Sequence, residues 1–213
     1  DMSVSIHTLY GFLFRVWRRR RFQWFLDTLK PTQADIVLDV GGYSDAWLEM
    51  PLHVRRIDTL NVDGIERETT SRAGVPIRSH VGDGCNMPFP DGGYDIVFSN
   101  SVIEHVGSMD RQQAFAREVR RVGQQLWVQT PARECPIEPH YLAPLVHWLP
   151  LAWQRRILRW LTPWGWIMRP TKAEVETCLT SIRLLTRGEV AVLFPDCEIR
   201  TERLLGIFPK SHI

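Results

Sequence analysis

Hydrophobic positions along the chain gather into short runs separated by polar turns, and the stretches between them carry helical spacing. Residues 36–45, Ile36-Val37-Leu38-Asp39-Val40-Gly41-Gly42-Tyr43-Ser44-Asp45, pass from a β-branched, aliphatic run through an acid into paired glycines. That pattern predicts a buried strand ending in a tight turn. A second run over 56–62 ends in Asp63-Gly64, a third covers 76–81, and 94–99 is nearly continuous in apolar residues, as a central parallel strand is. Residues 125–130 predict a fifth strand stopped by Pro131, and 198–205 with 206–213 predict a closing antiparallel hairpin. Between the first two strands, 45–50 leaves room for a short helix before Pro51. Spacing of three and four predicts helices over 172–179, 187–194 and 108–122, the last with Ala114, Phe115, Val119 and Val122 inward and Arg111, Arg117, Glu118 and Arg120 outward. Strands alternating with helices predict an α/β fold.

Two segments depart from this rhythm. Residues 5–30 interleave Leu9, Phe12, Leu13, Val16, Trp17, Trp24, Phe25 and Leu29 with Arg15 and Arg18 to Arg21, a basic, aromatic, amphipathic helix or helix pair ended by Pro31. It suits packing on the sheet edge, contact with a membrane surface or contact with an acidic partner. A single basic run without a recognition motif makes nucleic acid the weakest of its partners. Between Pro131 and Pro170 lie Trp148, Trp153, Trp160, Trp164 and Trp166, five of the nine tryptophans, with Arg155, Arg156 and Arg159 among them. Core packing of two short helices over the sheet, an apolar acceptor pocket and a membrane contact through 148–166 all fit that composition.

Composition bounds the answer without deciding it. A length of 213 residues fits one domain, and 44% apolar residues, 23% charged residues and a formal charge of +2 are ordinary for a globular protein. Cys85, Cys135, Cys178 and Cys197 form no CxxC pair and no Cys/His group at zinc spacing, so reduced thiols and no metal are expected. No apolar stretch approaches the roughly 20 residues of a membrane span, and no secretory signal is recognisable, which predicts a cytoplasmic protein.

Candidate chemistry sits at the strand ends. Glycines at 41 and 42 let a ligand approach bare backbone where the next helical amides point into the crevice. Asp63, 22 residues past Gly41, stands where a carboxylate accepts from ribose hydroxyls, or it is a plain turn residue before Gly64. Asp83 lies between Gly82 and Gly84, where an exocyclic amine is its natural partner. The fourth strand delivers Asn100, Ser101, Glu104 and His105 to the same sheet edge.

Asp39-Val-Gly-Gly, Asp63, the segment from Gly82 to Asn100 and Val102-Ile-Glu-His-Val106 together resemble the class I S-adenosylmethionine-dependent methyltransferases, the type 11 small-molecule group, over roughly residues 34–131. The resemblance implies a Rossmann-like, seven-stranded, mostly parallel sheet with helices on both faces. Residues 1–213 would be a single domain, with the 1–31 segment leading and 132–171 an inserted helical, Trp-rich cap. It implies a cofactor site of Asp39, Gly41, Gly42, Asp63, Gly64, Asp83, Gly84, Cys85 and Asn100. In that site the paired glycines pass beneath the methionine moiety, Asp63 takes the ribose, and Asp83 takes the adenine amine with Gly84 and Cys85 alongside. Asn100 would lie near the sulfonium. The family usually has glycine where this chain has Tyr43, and often where it has Asp45; the same bulk speaks against a GxGxxG dinucleotide site, which needs glycine at 43 and 46.

A sulfonium methyl is already activated, so a base is needed only when the acceptor must lose a proton, as a hydroxyl does. His140, flanked by Glu138 and Tyr141, is the first candidate and His105 the second, while capping and anchoring are their structural alternatives. The function implied is methyl transfer to a small-molecule, lipid-linked or glycan acceptor, most readily at oxygen, since Asn100-Ser-Val-Ile replaces the Asn/Asp-Pro-Pro-aromatic signature of amino-group methylation. A catalytically silent cofactor-binding or partner-binding member, and an RNA or protein methyltransferase, are the alternatives.

Overall fold

The computed structural model describes residues 19–138, 140, 143–204 and 206–213. Most of the leading segment, including Leu9, Phe12, Leu13, Val16 and Trp17, lies outside them; its second half is helix α1 over 19–29. The chain then runs through β1 (Ile36–Val40), a 3-10 turn at Ser44–Ala46, β2 (Arg56–Asn61), β3 (Arg67–Thr70), β4 (Pro76–Val81) and β5 (Tyr94–Asn100). A second 3-10 turn at Ile103–His105 precedes α2 (Met109–Val122) and β6 (Gly123–Pro131).

These strands and the closing pair β9 (Thr201–Leu204) and β10 (Phe208–His212) form one sheet in the order β3-β4-β2-β1-β5-β6-β10-β9. From β4 to β6 all neighbours are parallel, with Val37 opposite Ile57 on one side and Ile96 on the other. The sheet has eight strands where seven were expected. The extra one, β3, is an antiparallel edge strand of sequence Arg-Glu-Thr-Thr, mostly exposed, so no apolar alternation announces it. Only a 3-10 turn fills the space allotted to a helix after β1.

Each face of the sheet carries its own core. Leu38, Val40, Leu60 and Val97 meet Phe115 and Val119 of α2 and the 187–193 helix on one face. Val37, Ile57, Ile77 and Ile96 meet Phe25 of α1 and the Trp47–Val54 loop on the other. Successive side chains of a strand point to opposite faces, so the central strands β1 and β5 supply apolar residues to both cores, whereas β4 supplies Ile77 to one. Phe25 is fully buried, its ring 5.3 Å from Phe98 and 5.7 Å from Trp127 by centroid. Arg21 fastens the same helix, donating to Glu202 Oε2 at 2.7 Å, Ser211 Oγ at 2.9 Å and Gln129 Oε1 at 3.2 Å. The described half of the basic segment is therefore held on the sheet.

Residues 132–171 contain a small hairpin, β7 (Ile137–Glu138) with β8 (Ala143–Pro144), a 3-10 turn at Val146–Trp148, α3 (Leu151–Trp160) and α4 (Pro163–Met168). Helices α5 (Lys172–Ser181) and α6 (Arg187–Leu193) follow. Leu158, Val146, Ala143 and Val175 form a separate core with Trp164 against it. Helices α3 and α4 meet so closely that a Cβ at Gly165 would lie 2.3 Å from the Leu158 carbonyl oxygen, and Thr162 bridges them by donating to that oxygen at 2.6 Å. Trp148, Trp153, Trp160 and Trp166 remain exposed, so one tryptophan of the five takes the core role.

Candidate active site

The parallel strands end together, and the turns leaving β1, β2 and β4 enclose a cleft of about 590 Å³. At its floor Gly41 has φ +84° and donates its amide to the Leu60 carbonyl at 2.7 Å. A Cβ there would lie 2.4 Å from Val102, so both conformation and space require glycine. Asn61 secures the turn from the side, its Nδ2 donating to the Gly41 carbonyl at 3.1 Å.

Of the residues assigned to the cofactor from the sequence, Gly41, Asp63, Asp83 and Gly84 line this cleft, together with Arg111 and His105. The Asp63 Oδ1 accepts from the Tyr43 hydroxyl at 2.8 Å. Asp83 accepts from the Cys85 amide at 2.9 Å and from Arg111 at 3.0 Å. Burial raises the Asp83 carboxyl, but the amide and the guanidinium outweigh it and hold it below the usual carboxylate range. Both carboxylates thus already carry donors from the protein.

A second cavity of about 460 Å³ opens on the other side of the glycine turn, lined by Asp39, Gly42 and Asn100 with Trp47, Phe98 and Arg21. Tyr43 and Ser101 line both cavities and stand between them. Asp39 is buried and accepts from the Trp47 indole at 2.6 Å; burial pushes its carboxyl up to about 7, against the pull of that bond. Gly42 rests directly on it, since a Cβ would come 1.7 Å from Asp39 Oδ2. Ser101 holds a left-handed φ of +58°, fixed by its amide on the Gln129 carbonyl at 2.8 Å and its hydroxyl on Gln129 Oε1 at 3.0 Å. Strain of that kind persists where the surroundings over-determine it, commonly beside ligands.

The predicted cofactor set is therefore divided. Gly64 and Cys85 line neither cavity: Gly64 faces the Asn61 and His80 backbone, and the Cys85 thiol donates to the Arg111 carbonyl at 3.3 Å. Arg111, expected outward from helical periodicity, reaches along α2 to Asp83. Tyr43, Asn61, Ser101 and Trp47 join the site without having been assigned a role in it.

At the rim formed by the Ile103–His105 turn, two histidines meet. Nε2 of His105 lies 3.2 Å from Nε2 of His140, with the rings nearly perpendicular at 86°. Glu138 grips His140 twice, accepting its amide at 2.7 Å and its Nδ1 at 2.5 Å. With Nδ1–H given to Glu138, neutral His140 presents an unprotonated Nε2. Burial lowers the His140 imidazole, but Glu138 outweighs it and leaves the group above its ordinary value; burial and the neighbouring His140 lower His105. Beneath them Glu104 is fully buried, pushed up to about 7 by burial although Thr130 donates to it at 2.9 Å. His105 and His140, predicted separately, form one cluster at the edge of the cleft.

Residues 38–125 match the family model of a methyltransferase domain. Among solved structures, the YcgJ protein of Bacillus subtilis aligns with 16% identity and a TM-score of 0.51, covering 86% of this chain and 70% of that one. A SAM-dependent methyltransferase of Methanosarcina mazei aligns with 14% identity and a TM-score of 0.50, covering 85% and 91%. At such identities the likeness is one of fold. No curated protein sequence matches the chain. The match runs through both glycines, Asp63, Asp83 and His105, so this stretch of the chain is similar to a methyltransferase domain, on a sheet of the fold that the two solved structures share.

Proposed function

We propose that this enzyme moves the methyl group of S-adenosylmethionine to a hydroxyl oxygen of a small-molecule, lipid-linked or glycan acceptor. The observation that carries the reading is the His105–His140 pair, backed by Glu138, at the rim of the cleft. Transfer from a sulfonium needs in-line positioning and exclusion of water, which together supply on the order of 7–11 kcal/mol of barrier lowering. A hydroxyl acceptor must in addition lose a proton, and this cluster sets two imidazoles beside the cleft.

The cofactor spans both cavities. Its adenosine end takes the cleft with Asp63 and Asp83, where Gly64 shapes the ribose loop and the Gly84 and Cys85 backbone flanks the base. Its methionine end takes the cavity with Asp39, Gly42 and Asn100, passing Tyr43 and Ser101. The ribose hydroxyls take over the place of the Tyr43 hydroxyl on Asp63. An ammonium group beside Asp39 favours the ionised carboxylate.

The single domain uses 132–171 as a cap on the acceptor side. Its exposed Trp148, Trp153, Trp160 and Trp166, interleaved with Arg155, Arg156, Arg159 and Arg169, suit an anionic membrane surface and support peripheral attachment of a cytoplasmic enzyme to the bilayer that carries a lipid-linked acceptor. Among the described residues no helix is long and apolar enough to cross a membrane. The reading is tested by supplying S-adenosylmethionine with a labelled methyl group to a panel of hydroxylated lipid and sugar acceptors. Label in an ether or ester product, lost in His140→Ala while S-adenosylhomocysteine binding persists, is expected; label only in amine products would overturn the assignment to oxygen.

A further inference from the structure

We propose that Glu104, His105 and His140 bind a divalent transition-metal ion at the rim of the cofactor cleft. The inference rests on the reading of this corner as the acceptor side of the methyltransferase. One donor atom from each residue lies within 4.8 Å of the other two. The two Nε2 atoms are 3.2 Å apart. Two imidazoles on one ion, each at about 2.0–2.1 Å, stand roughly 2.9–3.4 Å apart for angles between octahedral and tetrahedral. The observed separation falls inside that window.

Two further features point the same way. Glu104 is fully buried, and its Oε1 has no hydrogen-bond partner, while Oε2 is occupied by Thr130. A buried carboxylate oxygen without a donor is costly, and a cation beside the two histidines would satisfy it. A direct bond between the histidines would account for their spacing but leaves that oxygen unexplained. On the far side of His140, Glu138 holds Nδ1 at 2.5 Å. A carboxylate on the remote nitrogen is the arrangement that orients a metal-binding imidazole and fixes its tautomer. Closing the site requires the Glu104 carboxylate to approach to about 2.0–2.2 Å.

The donor set, two imidazoles and one carboxylate, suits zinc, cobalt, manganese or iron in the divalent state better than calcium or magnesium. It leaves positions for an acceptor oxygen, which faces the cleft because His105 lines it. A hydroxyl bound there loses its proton to solvent at a lower pH than a free one, as zinc-bound water does. The imidazoles then hold the ion in place of the proton.

The experiment strips the protein with a chelator and titrates it with cobalt(II), reading the visible ligand-field absorption, with zinc(II) as competitor and an S-adenosylhomocysteine titration of each sample in parallel. One cobalt per chain, displaced by zinc, is expected. Glu138→Gln should weaken it about 10–100-fold and the exchanges His105→Gln, His140→Gln and Glu104→Gln at least as much. Retained S-adenosylhomocysteine affinity identifies the variants that remain folded, and exposed His105 is the safest of them. The absence of cobalt binding by the wild type, or binding unchanged in the folded variants, overturns the proposal. Cobalt binding lost in the variants of a wild type that takes no S-adenosylhomocysteine would support the ion while removing the cofactor reading on which its role rests.

Discussion

The two faces on which this chain uses tryptophan make opposite use of it. On the α1 side of the sheet Trp47 and Trp127 are 3% and 5% exposed, packed against Phe98 and Phe25 at 5.3 and 5.7 Å between centroids. In the 132–171 segment Trp148, Trp153, Trp160 and Trp166 are 50–65% exposed, above a small core that Leu158 and Trp164 already fill. Equal residue types therefore carry different meaning: the first group forms a wall of the cavity of about 460 Å³, and the second leaves apolar surface available. Large exposed apolar patches mark binding surfaces more often than structural ones.

The comparison can be broken most simply by truncation. Trp127→Ala should destabilise the protein by about 3–5 kcal/mol, whereas Trp153→Ala should stay within about 0.5 kcal/mol, measured by denaturant unfolding followed by circular dichroism. Equal losses would show that the segment bearing Trp153 is as tightly packed as the sheet.

Within the buried face, the bond from Trp47 to Asp39 links packing to protonation. The Asp39 carboxyl rises from 3.8 to about 7, so between those values the folded protein holds a proton that the unfolded chain has released. Stability therefore falls as pH rises through this window and levels off above it, by about 4 kcal/mol at most. Asp39→Asn keeps an acceptor for the indole and removes the dependence. It should be more stable than wild type at pH 8 and equal near pH 4, as read by thermal unfolding across pH. A gain that does not vary with pH would sink the account.

The smallest effect belongs to the aromatic that stands between the two cavities. Tyr43→Phe removes the hydroxyl on Asp63 and frees that carboxylate for the ribose, which should tighten S-adenosylhomocysteine binding by about 2–10-fold. Weaker binding would mean that the hydroxyl itself contacts the cofactor.

Much of this arrangement is legible in the chain. Strands over 36–40, 56–61 and 94–100 announce themselves because both their faces are largely buried, while 76–81 buries only Ile77 fully; the capping residue Ser108, which accepts from the Arg111 amide, marks the start of α2. Edge strand β3 is silent because its side chains are polar and exposed. His105 and His140 could each be singled out, but their meeting depends on the path of β7 and β8, 35 residues from the Ile103–His105 turn. The residues assigned to the cofactor fall in two cavities with Tyr43 and Ser101 between them, and the Tyr43–Asp63 bond is a contact between loops that no periodicity encodes. Arg111 obeys its helical period at the backbone, and only its long side chain carries it back to Asp83. Exposure of the tryptophans in α3 and α4 likewise depends on which helix faces the small core already supplies.

In the proposed reading one cofactor molecule spans both cavities past Tyr43 and Ser101, held in the cleft by Asp63. Calorimetric titration of the wild type and of Asp63→Ala with S-adenosylmethionine and S-adenosylhomocysteine tests it most directly. One molecule bound per chain with micromolar affinity, weakened about 10–100-fold in the variant as loss of charge-assisted hydrogen bonds to the ribose requires, is the predicted result. Binding that is unchanged in Asp63→Ala, or absent from the wild type, would contradict it.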